Sequence, residues 1–172
     1  RVPVGIMVET PSAALTIDLL AKHAAFFSIG SNDLIQYACA AERENGDVTH
    51  LRNPLQPAVL RLLKQVIDAA TLAGVPCSLC GDMASDPALT WLLLGLGLRD
   101  LSMEPHAIPM VKSIIRRSSI EEAVAFAAQA LASPSEQDTA RLTEAAMAPK
   151  FADDLEAFLP AVCGAAAGFA IA

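Results

Sequence analysis

The stretch that decides the fold runs from Phe26 to Tyr37 and reads Phe-Phe-Ser-Ile-Gly-Ser-Asn-Asp-Leu-Ile-Gln-Tyr. An apolar run ends at Gly30, and an amide and a carboxylate follow almost at once. Such a run, bounded by polar residues, predicts a short buried strand. Asn32 and Asp33 then lie just past the C-terminal end of that strand, which is where α/β folds bind their ligands.

The composition of the chain excludes several classes of protein. Its 172 residues, 53% of them apolar and 18% charged, suffice for one globular domain with a sizeable core. The net charge of −7 argues against a nucleic-acid partner. We expect no membrane span, because no apolar segment reaches the roughly 20 residues that one needs. The four cysteines show no evident disulfide framework, which favours a reducing, cytoplasmic location.

The order of strand and helix signals repeats four times along the chain. The predicted strands are Val4–Val8, Phe26–Gly30, Val75–Leu79 and Leu98–Met103. Amphipathic helices lie between them, which predicts a parallel sheet covered by helices. Four such units fit half of a TIM-type (β/α)8 barrel. An open doubly wound sheet is the structural alternative, although no glycine-rich fingerprint supports a nucleotide-binding version of it.

The sequence changes character at Ser133. Residues 1–132 contain the four strand–helix units and form the predicted half-barrel. Residues 133–172 form a predicted helical, partly apolar tail, to which the sequence assigns no chemistry.

Polar residues follow the ends of the predicted strands. Because the ends of parallel strands share one edge of a sheet, Glu9 and Asp33 are predicted to form an oxygen-only carboxylate pair, which suits Mg²⁺. The alternatives are a solvated loop acid for Glu9 and a helix N-cap for Asp33. Asn32 is either a turn residue or part of the site. Arg43 is either a surface arginine or a clamp for a phosphate or carboxylate.

The pair Cys77 and Cys80 has the spacing of a redox or zinc motif. In a strand, residues three apart point to opposite faces, so a chelate or disulfide is disfavoured. Cys80, at the strand end beside Gly81, is better placed for chemistry, and Cys77 is expected in the core. The three histidines show no metal-binding spacing, and each is expected to be a surface or capping residue.

Several motifs, in register and in order, resemble the phosphoenolpyruvate-utilising enzymes. They are Gly5–Leu15, Phe26–Tyr37, Asn53–Leu60 and Cys80–Ala84. Other residues resemble the enzyme I type of the bacterial phosphoenolpyruvate:sugar phosphotransferase system more than pyruvate phosphate dikinase or phosphoenolpyruvate synthase: Leu34–Tyr37, Arg43, Leu101–Met103 and Ile108–Lys112. The resemblance covers residues from about Val4 to Leu131.

The resemblance implies a fold, a reaction and a role for each candidate residue. It implies a phosphoenolpyruvate-binding β/α barrel, of which this chain is the C-terminal half, and a homodimer. Glu9 and Asp33 match the Mg²⁺ ligands, and Asn32 and Arg43 match groups that hold the substrate phosphate. Cys80 matches the acid that protonates C3 of the enolate. The implied reaction transfers the phosphoryl group of phosphoenolpyruvate to a protein histidine and releases pyruvate.

The sequence also departs from that pattern. Asp82 stands where the family usually has glutamate, and the tail beyond about Pro149 does not resemble enzyme I. In that family the phosphorylated histidine and the surface for the histidine phosphocarrier protein HPr belong to upstream domains. We therefore expect the fragment not to turn over alone. The rival hypotheses are a dikinase or synthase and an inactive half-barrel that serves as a regulatory or assembly module.

Overall fold

The structure is a computed structural model that describes residues 2–162, with side chains as far as Phe151. Four short strands form one sheet: β1 (Ile6–Val8), β2 (Phe27–Gly30), β3 (Cys77–Cys80) and β4 (Asp100–Leu101). The α-helices are α1 (Pro11–Leu15), α2 (Ile17–Leu20), α3 (Ser31–Cys39), α4 (Pro57–Ala73), α5 (Asp82–Ser85), α6 (Pro87–Leu96), α7 (Ile108–Arg117), α8 (Ile120–Ala132) and α9 (Glu136–Val162). Short 3₁₀ helices cover Gly46–Leu51 and Pro105–Ala107.

The sheet is parallel throughout, and its strands lie side by side in chain order, β1-β2-β3-β4. Every strand is followed by helix, so the chain contains four consecutive βα units. A doubly wound sheet reverses its strand order at a switch point, whereas the strands of a barrel follow one another around it. The unreversed order within the described residues is that of half a (β/α)8 barrel, which confirms the predicted fold.

The two faces of the sheet differ in character. Val8, Phe27, Ile29 and Leu79 are fully buried on the face that the helices cover. The alternate residues point to the other face of the sheet. One row of them, paired in register across the four strands, consists of Met7, Ser28, Ser78 and Asp100. This second face is more polar and only partly covered. It corresponds to the interior of a complete barrel, where side chains fill the space between strands.

Side-chain caps fix where several helices begin. Thr10 Oγ1 accepts a hydrogen bond from the amide of Ala13 at 3.3 Å, and Asp86 Oδ1 accepts one from Ala88 at 2.8 Å. The sequence predicts both starts, because Thr10 and Asp86 are favoured N-cap residues and each precedes a proline that suits the first helical position, and the structure confirms them. The sequence also predicts a single helix from Pro11 to about His23, whereas the structure breaks this helix at Thr16, where ψ is 22°.

The tail beyond Ser133 packs against the helices that cover the sheet. Helix α9 loses helical geometry at Phe151, whose ring is fully buried and lies edge-on to Trp91 with centroids 5.9 Å apart. Trp91 in turn stacks on Phe126 of α8. The boundary after residue 132 stays a prediction, and the last ten residues of the predicted tail lie outside the described residues. Among residues 2–162, no helix combines the length and apolar character needed to cross a bilayer.

Candidate functional site

Three residues at the C-terminal edge of the sheet lie in one row. Gly30 pairs with Cys80 in the β2–β3 register, and Val8 pairs with Ile29 in the β1–β2 register. Glu9 is therefore level with Gly30, on the same face as Cys80. Because parallel strands lie about 4.8 Å apart, the backbones of Glu9 and Cys80 are separated by roughly 10 Å across Gly30.

The absence of a side chain at Gly30 makes room for the Glu9 carboxylate. A Cβ atom built on Gly30 would lie 2.9 Å from Glu9 Oε2 and 3.0 Å from Glu9 Cβ. It would also lie 3.2 Å from the sulfur of Met7. The Glu9 side chain thus lies over Gly30, directed toward the site rather than away from the sheet.

Hydrogen bonds join the start of α3 to the turn between β3 and α5. Asn32 Oδ1 accepts a bond from the amide of Asp82 at 3.0 Å, and Ser31 Oγ donates to the carbonyl of Cys80 at 2.7 Å. Gly81 between them has φ +97°, and a Cβ there would lie 2.5 Å from Ser31 Oγ. Only glycine adopts this conformation readily and leaves that space. The contact also orients Asn32, since its oxygen faces Asp82 and its NH₂ group must point elsewhere.

Asp33 lies in the first turn of α3 and is not its N-cap, because Gly30 occupies the N-cap position. A carboxylate in the first turn is favourably placed near the positive end of the helix dipole. Neither Asp33 nor Glu9 has a side-chain hydrogen bond or ion pair with the described residues. Both carboxylates therefore keep their oxygens available for a ligand.

These two carboxylates fit the requirements of Mg²⁺. Across the described residues, no three histidine, cysteine, aspartate or glutamate side chains gather closely enough to hold a metal ion by themselves. Mg²⁺ needs fewer protein ligands than that, since it commonly keeps several waters and binds one or two carboxylates together with substrate phosphate. The hard oxygen donors of Glu9 and Asp33 match this preference. Their assignment as metal ligands is a proposal that rests on this match.

Arg43 lies in the exposed loop that follows α3 and precedes the 3₁₀ helix. Its guanidinium has no hydrogen bond or ion pair with the part of the chain that the structure describes. Its carbonyl oxygen accepts a hydrogen bond of 3.3 Å from Arg52 Nη1, so a second arginine holds the loop backbone. Asn32 lies in the first turn of α3 and Arg43 lies beyond its C-terminal end, and no hydrogen bond or ion pair within the described residues joins Arg43 to the other four candidates. Its role as a phosphate clamp stays a prediction.

The Cys80 thiol lies on the open face of the sheet. Its Sγ is 3.4 Å from the carbonyl oxygen of Ile29, to which the S–H donates, and 3.7 Å from Ser28 Oγ. The sulfur of Met7 is 4.0 Å away. The thiol is half-buried, and it lies on the face of the sheet that corresponds to the interior of a complete barrel.

Cys77 lies on the other face of β3, as its spacing from Cys80 predicted. Cys77 is half-buried and borders a cavity of about 170 Å³, together with Ile67, Ala70, Thr71, Val75, Gly97, Leu98, Arg99 and Asp100. Burial, and secondly the negative charge of Asp100, raise the pKa of the Cys77 thiol to about 11. Cys39, Cys77 and Cys80 are all free, which agrees with the absence of a predicted disulfide among them.

Other features of the described residues are poorer candidates for a catalytic site. The larger cavity, about 510 Å³, lies along α7 and is lined by Ile108, Pro109, Lys112, Ser113, Arg116 and Arg117. None of the five candidate residues borders it. The three histidines are exposed, as predicted, and His106 contacts only Glu104 among charged groups, with Nδ1 and Oε2 at 3.2 Å.

Comparison with known proteins identifies the family. Residues 1–120 match the family described as PEP-utilising enzyme, PEP-binding domain, where PEP is phosphoenolpyruvate. The chain belongs to the PEP-utilising enzymes. It is 46% identical to the phosphoenolpyruvate-protein phosphotransferase of Haemophilus influenzae over 144 residues. These residues cover 84% of the chain and 25% of that relative.

Other relatives with the same name give a similar result. The Mycoplasma genitalium protein is 47% identical over 140 residues, which cover 81% of the chain and 24% of the relative. The Listeria monocytogenes protein is 44% identical over 143 residues, with coverages of 83% and 25%. The chain therefore spans about a quarter of the length of the curated PEP-utilising relatives that it matches.

Sequence reasoning missed two groups that the structure brings to the site. Ser28 lies beside the Cys80 thiol, and Ser31 ties the loop of β2 to the Cys80 carbonyl. The alternation of β2 carried a signal for Ser28, because Ser28 and Gly30 interrupt an apolar strand on one face only. No local signal could have paired Asn32 with the amide of Asp82, fifty residues further along the chain.

Proposed function

We propose that this chain is the C-terminal half of a PEP-binding barrel. In the intact protein it supports Mg²⁺-dependent transfer of the phosphoryl group of PEP to a protein histidine, with release of pyruvate. The observation that carries this proposal is the row formed by Glu9, Gly30 and Cys80 at the ends of β1, β2 and β3. The name shared by the relatives, phosphoenolpyruvate-protein phosphotransferase, supports the same reaction.

Different residues of the chain would bind the phosphate of PEP and the metal ion. The NH₂ group of Asn32 faces away from Asp82 and can donate to a phosphate oxygen. The guanidinium of Arg43 would donate to the phosphate as a charged, bidentate group. Glu9 and Asp33 would hold the metal ion through their carboxylate oxygens. When bound, Mg²⁺ would offset the negative charge of the phosphate oxygens as the phosphoryl group moves.

Cys80 performs the last proton transfer in this proposal. Loss of the phosphoryl group leaves the enolate of pyruvate, whose C3 carbon takes a proton from the Cys80 S–H. The S–H bond breaks, a C–H bond forms, and the electron pair remains on sulfur until solvent reprotonates the thiolate. A thiol can act in this way only while it holds its proton. Before the transfer, the Cys80 S–H donates a hydrogen bond to the Ile29 carbonyl.

The remaining expectations follow from the same resemblance. We propose that HPr receives the phosphoryl group through upstream domains of the intact protein, within the sugar phosphotransferase system. The intact protein is expected to be a cytoplasmic homodimer. The fragment alone is expected to be inactive, because the other half of the barrel supplies further ligands for the substrate.

The experiment that tests this function is Cys80→Ala in the intact protein, with Cys77→Ala as the control on the opposite face of the same strand. Cys80→Ala should leave PEP affinity nearly unchanged and lower pyruvate release by at least about a hundredfold, the usual contribution of a positioned acid. Cys77→Ala should retain turnover. Normal pyruvate release by the Cys80→Ala variant, or loss of PEP binding with intact chemistry, would contradict the role given to Cys80.

A further inference from the structure

We propose that Ser28 is a positioning residue for the Cys80 thiol. Its hydroxyl donates a hydrogen bond to Sγ and stabilises the thiolate that remains after Cys80 has given up its proton. This inference rests on the proposed function, in which Cys80 is the proton donor. It adds a residue that takes no part in binding PEP or the metal ion.

The register of the sheet places the two side chains together. Ser28 pairs with Ser78, and Gly30 pairs with Cys80, so Ser28 and Cys80 are diagonal neighbours on the same face of adjacent strands. Diagonal neighbours in a sheet lie within reach of one another's side chains. Ser28 Oγ is 3.7 Å from Cys80 Sγ, a distance at which a hydroxyl can donate to the larger sulfur atom.

The hydroxyl of Ser28 is available for this role. It has no other hydrogen bond within the part of the chain that the structure describes. The neighbouring Ser78 behaves differently, because its hydroxyl donates to the carbonyl of Phe27 at 3.4 Å. Of the two serines in this row, Ser28 is therefore the one directed at the thiol.

The other groups around the thiol cannot replace Ser28. The Ile29 carbonyl at 3.4 Å is an acceptor only, so it can hold the S–H proton but cannot stabilise a thiolate. The Met7 sulfur at 4.0 Å carries no proton to donate. Among the described groups that are hydrogen-bonded to Sγ, Ser28 alone offers an O–H donor.

These contacts match the two states of the proton donor. Before transfer, the S–H donates to Ile29, which keeps the proton on sulfur. After transfer, the sulfur carries a negative charge and accepts the hydrogen bond from Ser28. Hydrogen bonds to charged groups are stronger than those between neutral groups, so the Ser28 contact strengthens as the proton leaves. This differential stabilisation lowers the barrier for proton transfer.

The direct test measures the reactivity of the thiol, which requires no turnover. Cys80 is alkylated with iodoacetamide in the intact protein at a fixed, mildly alkaline pH, and modification at each cysteine is followed by tandem mass spectrometry. Because the thiolate is the reactive species, Ser28→Ala should slow alkylation of Cys80 by about threefold to tenfold. Ser28→Thr, which keeps the hydroxyl, should react within about twofold of the unmodified protein.

Cys77 is the internal control for this measurement. It lies on the opposite face of the same strand, so its slow alkylation should not respond to either substitution. An unchanged Cys80 rate in Ser28→Ala, or equal slowing in Ser28→Thr, would overturn the proposal. Parallel changes at Cys77 and Cys80 would also overturn it, because they would show a general change in the strand.

Steady-state kinetics of the intact protein provide the second test. Ser28→Ala should lower kcat for pyruvate release by about threefold to tenfold and leave KM for PEP nearly unchanged. A rise in KM with normal kcat would overturn the positioning role. The Cys80→Ala variant separates failure of the proposed function from failure of the Ser28 inference. If Cys80→Ala turns over normally, Cys80 is not the proton donor. The alkylation rates still decide whether Ser28 contacts the thiol.

Discussion

Asn32 Oδ1 accepts a hydrogen bond of 3.0 Å from the backbone amide of Asp82, which joins the first turn of α3 to the start of α5. Because the oxygen is engaged, the Asn32 NH₂ group is the part of the side chain that can meet a phosphate. The bond therefore has two effects, one on the structure of the loops and one on substrate binding, and substitutions can separate them.

The pair Asn32→Asp and Asn32→Ala makes this separation. Asn32→Asp keeps an oxygen that can accept from Asp82, but it replaces the NH₂ donor by a negative charge. We expect PEP affinity to fall by about tenfold to a hundredfold, which is roughly 1.4–2.8 kcal/mol, with little change in thermal stability. Asn32→Ala should lose both affinity and some stability. Titration calorimetry and thermal unfolding measure the two effects, and unaltered PEP binding by Asn32→Asp would remove Asn32 from the phosphate site.

Gly30→Ala tests whether the position of the Glu9 carboxylate matters for metal binding. The new Cβ would lie 2.9 Å from Glu9 Oε2 and 3.0 Å from Glu9 Cβ, so the side chain must move. We expect the Mg²⁺ concentration required for half-maximal activity of the intact protein to rise by about tenfold or more, as for other groups that orient a metal ligand. Gly46→Ala is the matched control, because a Cβ added at Gly46 would meet no atom within 4 Å. A superimposable Mg²⁺ titration for Gly30→Ala would count against Glu9 as a ligand.

Local signals explain what the sequence could predict. Short-range rules identify the caps formed by Thr10, Asp86 and Ser119, since each cap involves residues two or three apart. The apolar runs and the order of strands and helices indicated a parallel sheet. The parallel order of the strands predicted that Glu9 and Asp33 share one edge of the sheet, and the resemblance then gave each candidate residue a predicted role.

Contacts between strands explain what the sequence could not predict. The closeness of Ser28 to Cys80 depends on the β2–β3 register, and a shift of one residue would turn one of the two side chains to the other face. The space for Glu9 over Gly30 depends in the same way on the β1–β2 register. At the Thr16 break, the Thr16 hydroxyl donates to the Ser12 carbonyl at 2.9 Å, a contact that the apolar pattern does not reveal.

The thiol of Cys77 should be unreactive at neutral pH. Its pKa is raised to about 11, so only about one molecule in a thousand carries the thiolate near pH 8. The rate of alkylation at Cys77 should therefore rise about tenfold per pH unit until the pH approaches that value. Peptide mass spectrometry after brief alkylation at several pH values gives the profile. A rate that levels off near neutral pH would show that the half-buried environment of Cys77 does not raise its pKa.

Phe151→Ala tests whether the tail is part of the folded core. The Phe151 ring is 1% exposed, lies against Trp91, and has the guanidinium carbon of Arg117 at 5.1 Å from its centroid. Removing a buried phenyl ring should lower the free energy of unfolding by about 3–5 kcal/mol. Urea denaturation provides the measurement, and Leu72→Ala, at a side chain that is 91% exposed, should stay within about 0.5 kcal/mol of the unmodified chain.

A chain that ends after residue 132 extends the same argument. It lacks Phe151 and the rest of α9, so Trp91 and Phe126 lose their cover and become exposed to water. We expect this truncated chain to be less stable than the Phe151→Ala variant, because it loses the buried Met147 as well. If truncation and Phe151→Ala both leave the urea midpoint unchanged, the tail does not contribute to the core, and residues 1–132 fold as an independent unit.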